Sequence, residues 1–230
     1  MNGYVEYDIS LYGHITVDRI FVDFNEYRTI GAMGNVWDAL ISTDSTLFID
    51  LKPSAIGQAI VLVDEKNVNR LGRAQLNLKK NIVKSSKSKW HHIMYLNQLE
   101  DVSFIKNINK GMISADLTAG RMKNLDMLKH IDYLFISDED LFTDVEELVK
   151  KVKGWVILHY PGGSYSSNGK ESFTMSNEVI ENIDVLGAGD FFAASFMYKK
   201  LSEGDTKKCV KYAHSNTTDL LKRRTDERKY

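Results

Sequence analysis

The residues best suited to chemistry lie in one segment, 184–196, which reads Asp-Val-Leu-Gly-Ala-Gly-Asp-Phe-Phe-Ala-Ala-Ser-Phe. Gly187 and Gly189 tolerate backbone angles and close approaches that a Cβ would forbid. If this loop opens a helix, the N–H groups of Gly187, Ala188 and Gly189 and the positive end of the helix dipole form an anion site. Asp190 would lie beside that site, where it can take a proton from a hydroxyl that attacks a phosphate. A small-molecule kinase needs this arrangement; the alternative is an ordinary turn followed by an acid in the first turn of a helix.

Asp184 and the apolar run after Asp190 make the segment similar to the second motif of the ribokinase, or phosphofructokinase B, family of carbohydrate kinases. That motif reads roughly D-T-x-G-A-G-D-x-F, and Val185 stands in place of its Thr. The resemblance implies ATP-dependent phosphoryl transfer to a hydroxyl of a sugar or sugar-like metabolite, with Asp190 as general base and Mg²⁺ bridging the phosphates. It also implies a three-layer α/β/α, Rossmann-like fold. The resemblance further implies that Asp184 helps to form a site for a monovalent cation such as K⁺, as in some relatives.

The segment 13–18, Gly-His-Ile-Thr-Val-Asp, follows the first predicted strand, which places Asp18 on the loop that leaves it. A carboxylate there can accept hydrogen bonds from two neighbouring hydroxyls, which suits a polyol. From its position alone, Asp18 is better interpreted as a solvated acid in a turn. The segment resembles the family's G-x-x-N-x-D, in which the Asp holds the sugar, with Thr16 where Asn is usual.

A second candidate for the acceptor site is the segment 30–40, Ile-Gly-Ala-Met-Gly-Asn-Val-Trp-Asp-Ala-Leu. It is similar to the family's first motif, G-G-x-x-x-N-x-A, in which Gly31 and Asn35 match and Ile30 replaces the first Gly. The resemblance implies that Gly31 and Asn35 position the acceptor. Asn35 can both donate to and accept from hydroxyls, although an Asn at the start of a helix is more often an N-cap.

Acidic residues follow a predicted strand in the segment 135–141, Phe-Ile-Ser-Asp-Glu-Asp-Leu. This segment occupies the place of the family's N-x-x-E motif, with Ser137 for Asn, Asp140 at the Glu position and Glu139 adjacent. The resemblance implies that these acids help to organise Mg²⁺, which prefers oxygen ligands and keeps several waters. The alternative is a capped helix start, with Ser137 as N-cap and acids in the first turn.

Two further segments correspond to the nucleotide side of the family. Residues 155–165 resemble the T-x-G-x-x-G segment that lines the nucleotide, with Gly163 at its last Gly and both the Thr and the first Gly lost. Asn216 lies where relatives pack a helix against the adenine. The chain has no Walker A loop, so we expect ATP to be used through the loop that ends at Asp190.

The elements that must position these residues follow an alternating pattern. Short apolar strands alternating with helices of about ten residues predict βαβ units and a buried, mainly parallel sheet. In this region we predict strands at 92–96, 111–115, 133–136 and 155–158 and helices at 101–107, 121–130 and 141–151. Elsewhere we predict strands at 9–15, 47–50 and 59–64 and a hairpin around 164–167. We predict helices at 35–41, 188–203 and 205–222. The segment 78–89 is predicted to be an exposed connection and 223–230 a frayed end.

Composition and length bear on the number of domains, the kinds of partner and the location of the protein. With 230 residues, 43% of them hydrophobic and 27% charged, we expect one ribokinase-like domain over 1–230, with only small lid elements within 19–30 and 59–77. Thirty basic and 31 acidic side chains favour neither nucleic acid nor membrane as a partner. A single cysteine, the lack of a basic and apolar leader pattern and the lack of a long apolar run indicate a cytoplasmic protein. The family allows a homodimer.

Two alternatives stay open at this level. The chain is also consistent with a nucleoside kinase of the same superfamily. From a different functional class, it is consistent with a degenerate homologue that binds a sugar or nucleotide as a sensor without catalysis. The intact Gly-Ala-Gly-Asp loop argues against the sensor, whereas the altered nucleotide-side segments argue for it.

Overall fold

A computed structural model describes residues 6–22, 25–63, 70–79, 82, 84–118, 123–180 and 183–227. The chain divides into two compact units. The first comprises residues 1–13, 46–54 and 81–178, and the second comprises residues 14–45, 55–80 and 179–230.

Ten strands and four α-helices are found in the described part of the chain. The strands are β1 (Tyr7–Val22), β2 (Asn25–Ala32), β3 (Ile49–Val63), β4 (Arg70–Lys79), β5 (Ser88–Ile93), β6 (Met112–Leu117), β7 (Tyr133–Ser137), β8 (Trp155–Tyr160), β9 (Gly163–Ser167) and β10 (Ser172–Ser176). The helices are α1 (Met33–Thr43), α2 (Val145–Val149), α3 (Ala188–Lys200) and α4 (Thr206–Glu227). Short 3₁₀ helices span Leu96–Gln98, Ser103–Asn107, Leu125–His130 and Asp138–Asp140.

The first unit is built on a mainly parallel sheet. Its strand order is β10-β9-β8-β7-β6-β5-β1, in which β1 and β5 to β8 pair in parallel and β9 and β10 are antiparallel additions. Alternate residues such as Ile113, Ala115 and Leu134 face a buried apolar core that also contains residues of the first three 3₁₀ helices and of α2. The predicted parallel sheet is therefore confirmed, because a sheet covered in this way needs the near-continuous apolar strands seen in the sequence.

The second unit combines antiparallel strands with three helices. Residues 15–22 of β1 pair with β2, and residues 55–63 of β3 pair with β4. Helix α4 is hydrogen bonded to two other helices through Asn216, whose side-chain nitrogen donates to Ser195 of α3 and to Thr43 of α1, both at 3.0 Å. The predicted lid segments 19–30 and 59–77 belong to these strand pairs, although residues 23–24 and 64–69 lie outside the described residues.

Several predicted boundaries were wrong. The strands predicted at 47–50 and 59–64 are one strand, β3. Within the described residues, the helices predicted at 101–107 and 121–130 are 3₁₀ segments, and the helix predicted at 141–151 is reduced to α2. The last of these begins late because the side chain of Asp144 accepts from the backbone N–H of Glu146 and so caps the helix there.

The prediction of a frayed end at 223–230 was wrong for residues 223–227, whereas residues 228–230 lie outside the described part of the chain. Helix α4 continues to Glu227, because its buried stripe extends beyond Leu220 and Leu221 to the largely buried Arg224. Among the helices that the structure describes, none combines the length and the apolar character that crossing a membrane requires.

Candidate active site

The loop before α3 has the geometry that the sequence predicted. Gly187 caps α3 with φ 75° and ψ 14°, a left-handed conformation that glycine adopts without strain. A Cβ at this position would lie 2.8 Å from Asn35 Nδ2 and 3.4 Å from Asp190 Oδ2. The site therefore requires glycine at 187 both for the turn and for the close approach of these two side chains.

The three N–H groups predicted as donors at this helix start differ in their hydrogen bonding. The N–H of Ala188 donates to the carbonyl of Val185 at 3.0 Å, which closes the turn and occupies that donor. Within the described residues, no acceptor is found for the N–H groups of Gly187 and Gly189. Two of the three predicted donors are therefore available to an anion, together with the positive end of the helix dipole.

Asp190 and Asn35 are brought together although they lie 155 residues apart in sequence. Asn35 Nδ2 donates to Asp190 Oδ2 at 2.7 Å, and both residues are buried. Asp190 lies in the first turn of α3, and Asn35 in the first turn of α1. The bond fixes the orientation of the carboxylate beside Gly187, so Asn35 has a role toward Asp190 in addition to the predicted role toward an acceptor.

Asp18 lies inside β1, not on the predicted loop, because β1 continues to Val22. The residue is 8% exposed, and burial raises the pKa of its carboxyl while the hydrogen bond with Thr16 opposes that rise. Oδ1 of Asp18 has no hydrogen-bond partner among the described residues. A buried carboxylate oxygen without a partner is rare in proteins, and hydroxyl groups of a ligand would satisfy it.

Gly31 makes room for this carboxylate. It faces Thr16 across the β1–β2 pair, and a Cβ on it would lie 2.1 Å from Asp18 Oδ2. Any other residue at 31 would therefore push the Asp18 side chain out of place. The structure thus brings together Asp18 and Gly31, as the sequence suggested.

Arg224 is a residue of this region that the sequence reasoning missed. Its Nη2 donates to the backbone carbonyl of Asp184 at 3.0 Å and to that of Leu186, and it lies 3.7 Å from Asp184 Oδ1. The guanidinium also packs over the ring of Phe191 at 4.8 Å. Arg224 follows the buried Leu220 and Leu221 by four and three positions, so it lies on the same face of α4. This helical spacing is the sequence signal that would have indicated it.

The predicted metal ligands Glu139 and Asp140 belong to the first unit. Ser137 caps their 3₁₀ helix, and its hydroxyl accepts from the N–H of Glu139 at 3.3 Å. The capped start proposed as the alternative is therefore present. Across the described ranges, no three His, Cys, Asp or Glu side chains converge as metal ligands. Mg²⁺ usually takes only one or two carboxylates and keeps its waters, so Glu139 and Asp140 stay predictions.

The two residues predicted to contact the nucleotide both have structural roles. A Cβ at Gly163 would lie 2.3 Å from the carbonyl oxygen of Met175, so the β9–β10 pairing requires glycine there. Asn216 uses both hydrogens of its amide nitrogen on Ser195 and Thr43. Any contact of Asn216 with an adenine would have to use its amide oxygen.

A chain of buried polar groups ends at the carboxyl end of β6. The indole N–H of Trp90 donates to Ser114 Oγ at 2.7 Å, and Ser114 is 2.8 Å from His92 Nδ1. Nε2 of His92 lies 3.2 Å from Asp116 Oδ2, without the geometry of a hydrogen bond. Asp116, which the sequence analysis did not single out, thus lies beside a buried histidine near the end of β6.

Comparison with known proteins agrees with the resemblance in the sequence. The family model of the pfkB family carbohydrate kinases matches residues 95–216, which is more than half of the chain. An ATP-dependent ribose-1-phosphate kinase from Halopiger xanaduensis is 26% identical over 110 residues, 48% of this chain. The match spans only 34% of that relative's length.

Solved structures show the fold. An adenosine kinase from Sinorhizobium meliloti superposes with a TM-score of 0.75 at 14% identity, covering 94% of each chain. A pyrophosphate-dependent kinase of the ribokinase family gives 0.71 at 15% identity, covering 93% of this chain and 95% of that one. A ribokinase from Thermotoga maritima gives 0.68 at 16% identity, covering 94% and 92%. The fold is therefore the three-layer α/β ribokinase-like fold expected from the sequence.

Proposed function

Because the chain belongs to the pfkB family of carbohydrate kinases, we propose that it transfers a phosphoryl group from ATP to a hydroxyl of a sugar or sugar-like metabolite. The observation that supports this most is the constellation at the start of α3. It combines a left-handed glycine, two N–H groups available to an anion and a buried, oriented carboxylate. These are the parts that phosphoryl transfer to an alcohol requires.

In this proposal Asp190 is the general base. As the acceptor oxygen bonds to phosphorus and the bond from phosphorus to the leaving phosphate breaks, the hydroxyl proton passes to the Asp190 carboxylate. Asn35 keeps that carboxylate in position through its 2.7 Å hydrogen bond. The N–H groups of Gly187 and Gly189 stabilise the charge that grows on the transferred group. No covalent intermediate on the protein is needed.

The acceptor is held at Asp18. The unpartnered Oδ1 and the neighbouring Oδ2 can accept from two adjacent hydroxyls, which is the recognition pattern of a polyol. Gly31 keeps the space that the carboxylate occupies. This supports a sugar, or the ribose of a nucleoside, as the acceptor class.

Mg²⁺, when bound with the nucleotide, would neutralise phosphate charge, and Glu139 and Asp140 are the residues proposed to hold it through water. Gly163 and Asn216 stay predictions for nucleotide contact. The structural similarity to a pyrophosphate-dependent kinase makes pyrophosphate a second donor to test beside ATP. The homodimer and the cytoplasmic location also stay predictions.

The decisive variant is Asp190→Asn. The amide oxygen of Asn can still accept from Asn35, so the local geometry is retained while the base is lost. We expect turnover to fall by about 10²- to 10⁴-fold with acceptor affinity largely unchanged. The measurement is steady-state phosphate transfer with ATP or pyrophosphate against a panel of sugars, sugar phosphates and nucleosides, alongside calorimetric binding of the best acceptor.

The matched control is Asp219→Asn, which removes an exposed carboxylate from the outer face of α4. It should keep wild-type turnover. Retained turnover in Asp190→Asn would remove Asp190 from the proposed role. If ligands of the panel raise the melting temperature of the wild-type protein but none is phosphorylated with either donor, the sensor alternative is favoured instead.

A further inference from the structure

Three oxygen atoms of the loop that leads into Gly187 surround one nitrogen of Arg224. The backbone carbonyl oxygens of Asp184 and Leu186 accept from Nη2, and Oδ1 of Asp184, which accepts from the N–H of Leu186 at 3.0 Å, forms an ion pair with Nη2 at 3.7 Å. One of these oxygens carries charge and the other two are the negative ends of peptide dipoles. Together they define a position for a single positive charge, two residues before the start of α3.

The family resemblance implied a monovalent cation beside Asp184, and the chemistry of these oxygens suits such an ion, since carbonyl and carboxylate oxygens are ligands of hard cations. The position is nevertheless held by a guanidinium, which keeps its charge at every relevant pH. A second cation at the same oxygens would lie next to the first and be strongly repelled. A monovalent ion at this position therefore does not fit the residues present.

We propose that the Arg224 guanidinium takes the place of a monovalent cation at this loop, so that the protein needs no K⁺ there. The catalytic consequence, turnover that is independent of K⁺, rests on the proposed function. The claim about ion binding does not, because it concerns only the loop and α4.

Contacts on two sides hold the Arg224 side chain in place, as a cation that belongs to the protein itself requires. Its side chain is only 12% exposed and that of Asp184 19%. Phe191 lies under the guanidinium at 4.8 Å, two residues after Gly189. The next residue of α4, Thr225, accepts from the N–H of Asp184 at 3.0 Å through its hydroxyl. Arg224 is thus a positioning residue that ties α4 to the loop before the anion site.

The experiment compares melting temperatures in KCl, NaCl and choline chloride at equal ionic strength, without donor or acceptor. For the wild-type protein we expect no difference between KCl and choline chloride. Arg224→Ala should melt roughly 5 °C lower in choline chloride, because a largely buried charged hydrogen-bond donor is lost. KCl at about ten times the dissociation constant should then raise its melting temperature by at least about 3 °C.

Arg223→Ala is the matched control, since Arg223 is the exposed neighbour on the same helix. It should melt like the wild-type protein in all three salts. A K⁺-specific rise in the wild-type protein would overturn the proposal, and this holds even if Arg224→Ala does not fold. An Arg224→Ala protein that is destabilised but indifferent to K⁺ would also overturn it, since Arg224 would then be structural only.

Measurements of turnover distinguish a failure of the Arg224 proposal from a failure of the proposed kinase function. If no acceptor is phosphorylated, the kinase assignment fails while the melting temperatures still decide the role of Arg224. If an acceptor is found, we expect wild-type turnover to be equal in KCl and choline chloride and Arg224→Ala turnover to be higher in KCl. Activation of the wild-type enzyme by K⁺ would contradict the proposal.

Discussion

At the scale of single residues, Asp18, which we propose to bind the acceptor, has a carboxyl whose ionisation is opposed by burial. Burial raises its pKa, so the folded protein holds the proton more tightly than the unfolded chain does. For a carboxyl with a raised pKa, stability is gained as pH falls toward the unfolded value and is lost above the folded value. Above the folded pKa the charged carboxylate therefore destabilises the protein, and such a cost is typical of residues kept for binding.

We therefore expect Asp18→Asn to stabilise the unliganded protein. The substitution removes the buried charge and keeps the shape, so the melting temperature should rise by a few degrees. The acceptor would lose charged hydrogen bonds, so its affinity should fall by about 10- to 100-fold. Differential scanning calorimetry and acceptor titration would measure the two effects.

Asp219→Asn again serves as the reference, because it makes the same chemical change at an exposed position. It should alter neither quantity. A lower melting temperature for Asp18→Asn would show that the carboxylate has a stabilising partner, and undiminished acceptor affinity would exclude Asp18 from the binding site.

At the scale of elements, the junction of β2 and α1 decides where Asn35 lies. Ala32, the residue between the two elements, has φ 52° and ψ −122°, a region that residues with a Cβ rarely adopt. This sharp turn lets α1 start directly after the strand, with Asn35 in its first turn and bonded to Asp190. The strain at Ala32 is thus located at the proposed site, as strained backbone often is.

Replacing Ala32 by Gly should relieve this strain. We expect a gain of about 1 kcal/mol in the free energy of unfolding, after the greater flexibility of glycine in the unfolded chain is subtracted. The melting temperature should rise by about 2–4 °C, and turnover should be close to wild type.

The same substitution at Ala39, a buried alanine in the interior of α1, should have the opposite sign. There glycine lowers helix propensity, and the expected loss is about 1 kcal/mol. Thermal or urea unfolding of the two variants measures the contrast. A loss at position 32 would show that its backbone is not strained in solution.

At the scale of the whole molecule, three histidines that are buried or half-buried make the stability depend on acid. Burial lowers the pKa of His14, of His91 and of His159, and for His159 the nearby Asp116 and Asp138 oppose that shift. His91 also has both ring nitrogens engaged, with Tyr12 Oη at 2.9 Å and the Lys110 carbonyl at 3.1 Å. The Lys110 carbonyl can only accept, so Nε2 donates to it and the neutral ring accepts from Tyr12.

We expect stability to fall in acid. The histidines of the unfolded chain take up protons near their ordinary pKa of about 6.5, whereas the folded protein keeps these rings neutral to lower pH. Their contribution is fully present above about pH 6.5 and is lost as pH falls below it. Melting temperatures from about pH 8 to about pH 5 should therefore decline, most steeply below about pH 6.5.

His91→Asn should make that decline shallower, because one proton-linked group is removed. His130→Asn, at the partly exposed end of a 3₁₀ helix, is the control for the substitution of His by Asn itself. A pH profile of His91→Asn parallel to that of the wild-type protein would exclude His91 from the acid response.

The sequence alone was sufficient for features that depend on neighbouring residues. The alternation of apolar runs predicted the parallel strands, and the order of glycines and Asp190 predicted the turn, the helix start and the acid beside it. Both depend on backbone conformation and on periodicity over a few residues, which a sequence displays directly. Helix ends were less predictable, because the ending of α4 depends on what Arg224 contacts.

Only the tertiary structure decided which distant groups meet. The Asn35–Asp190 bond joins residues 155 positions apart, and Arg224 reaches a carbonyl 40 positions away. The burial of Asp18 Oδ1, which has no hydrogen-bond partner among the described residues, likewise depends on the pairing of β1 with β2. Such contacts arise from the packing of whole elements, which no local pattern encodes, so the loop and the acid beside it were predictable whereas the guanidinium that holds the loop was not.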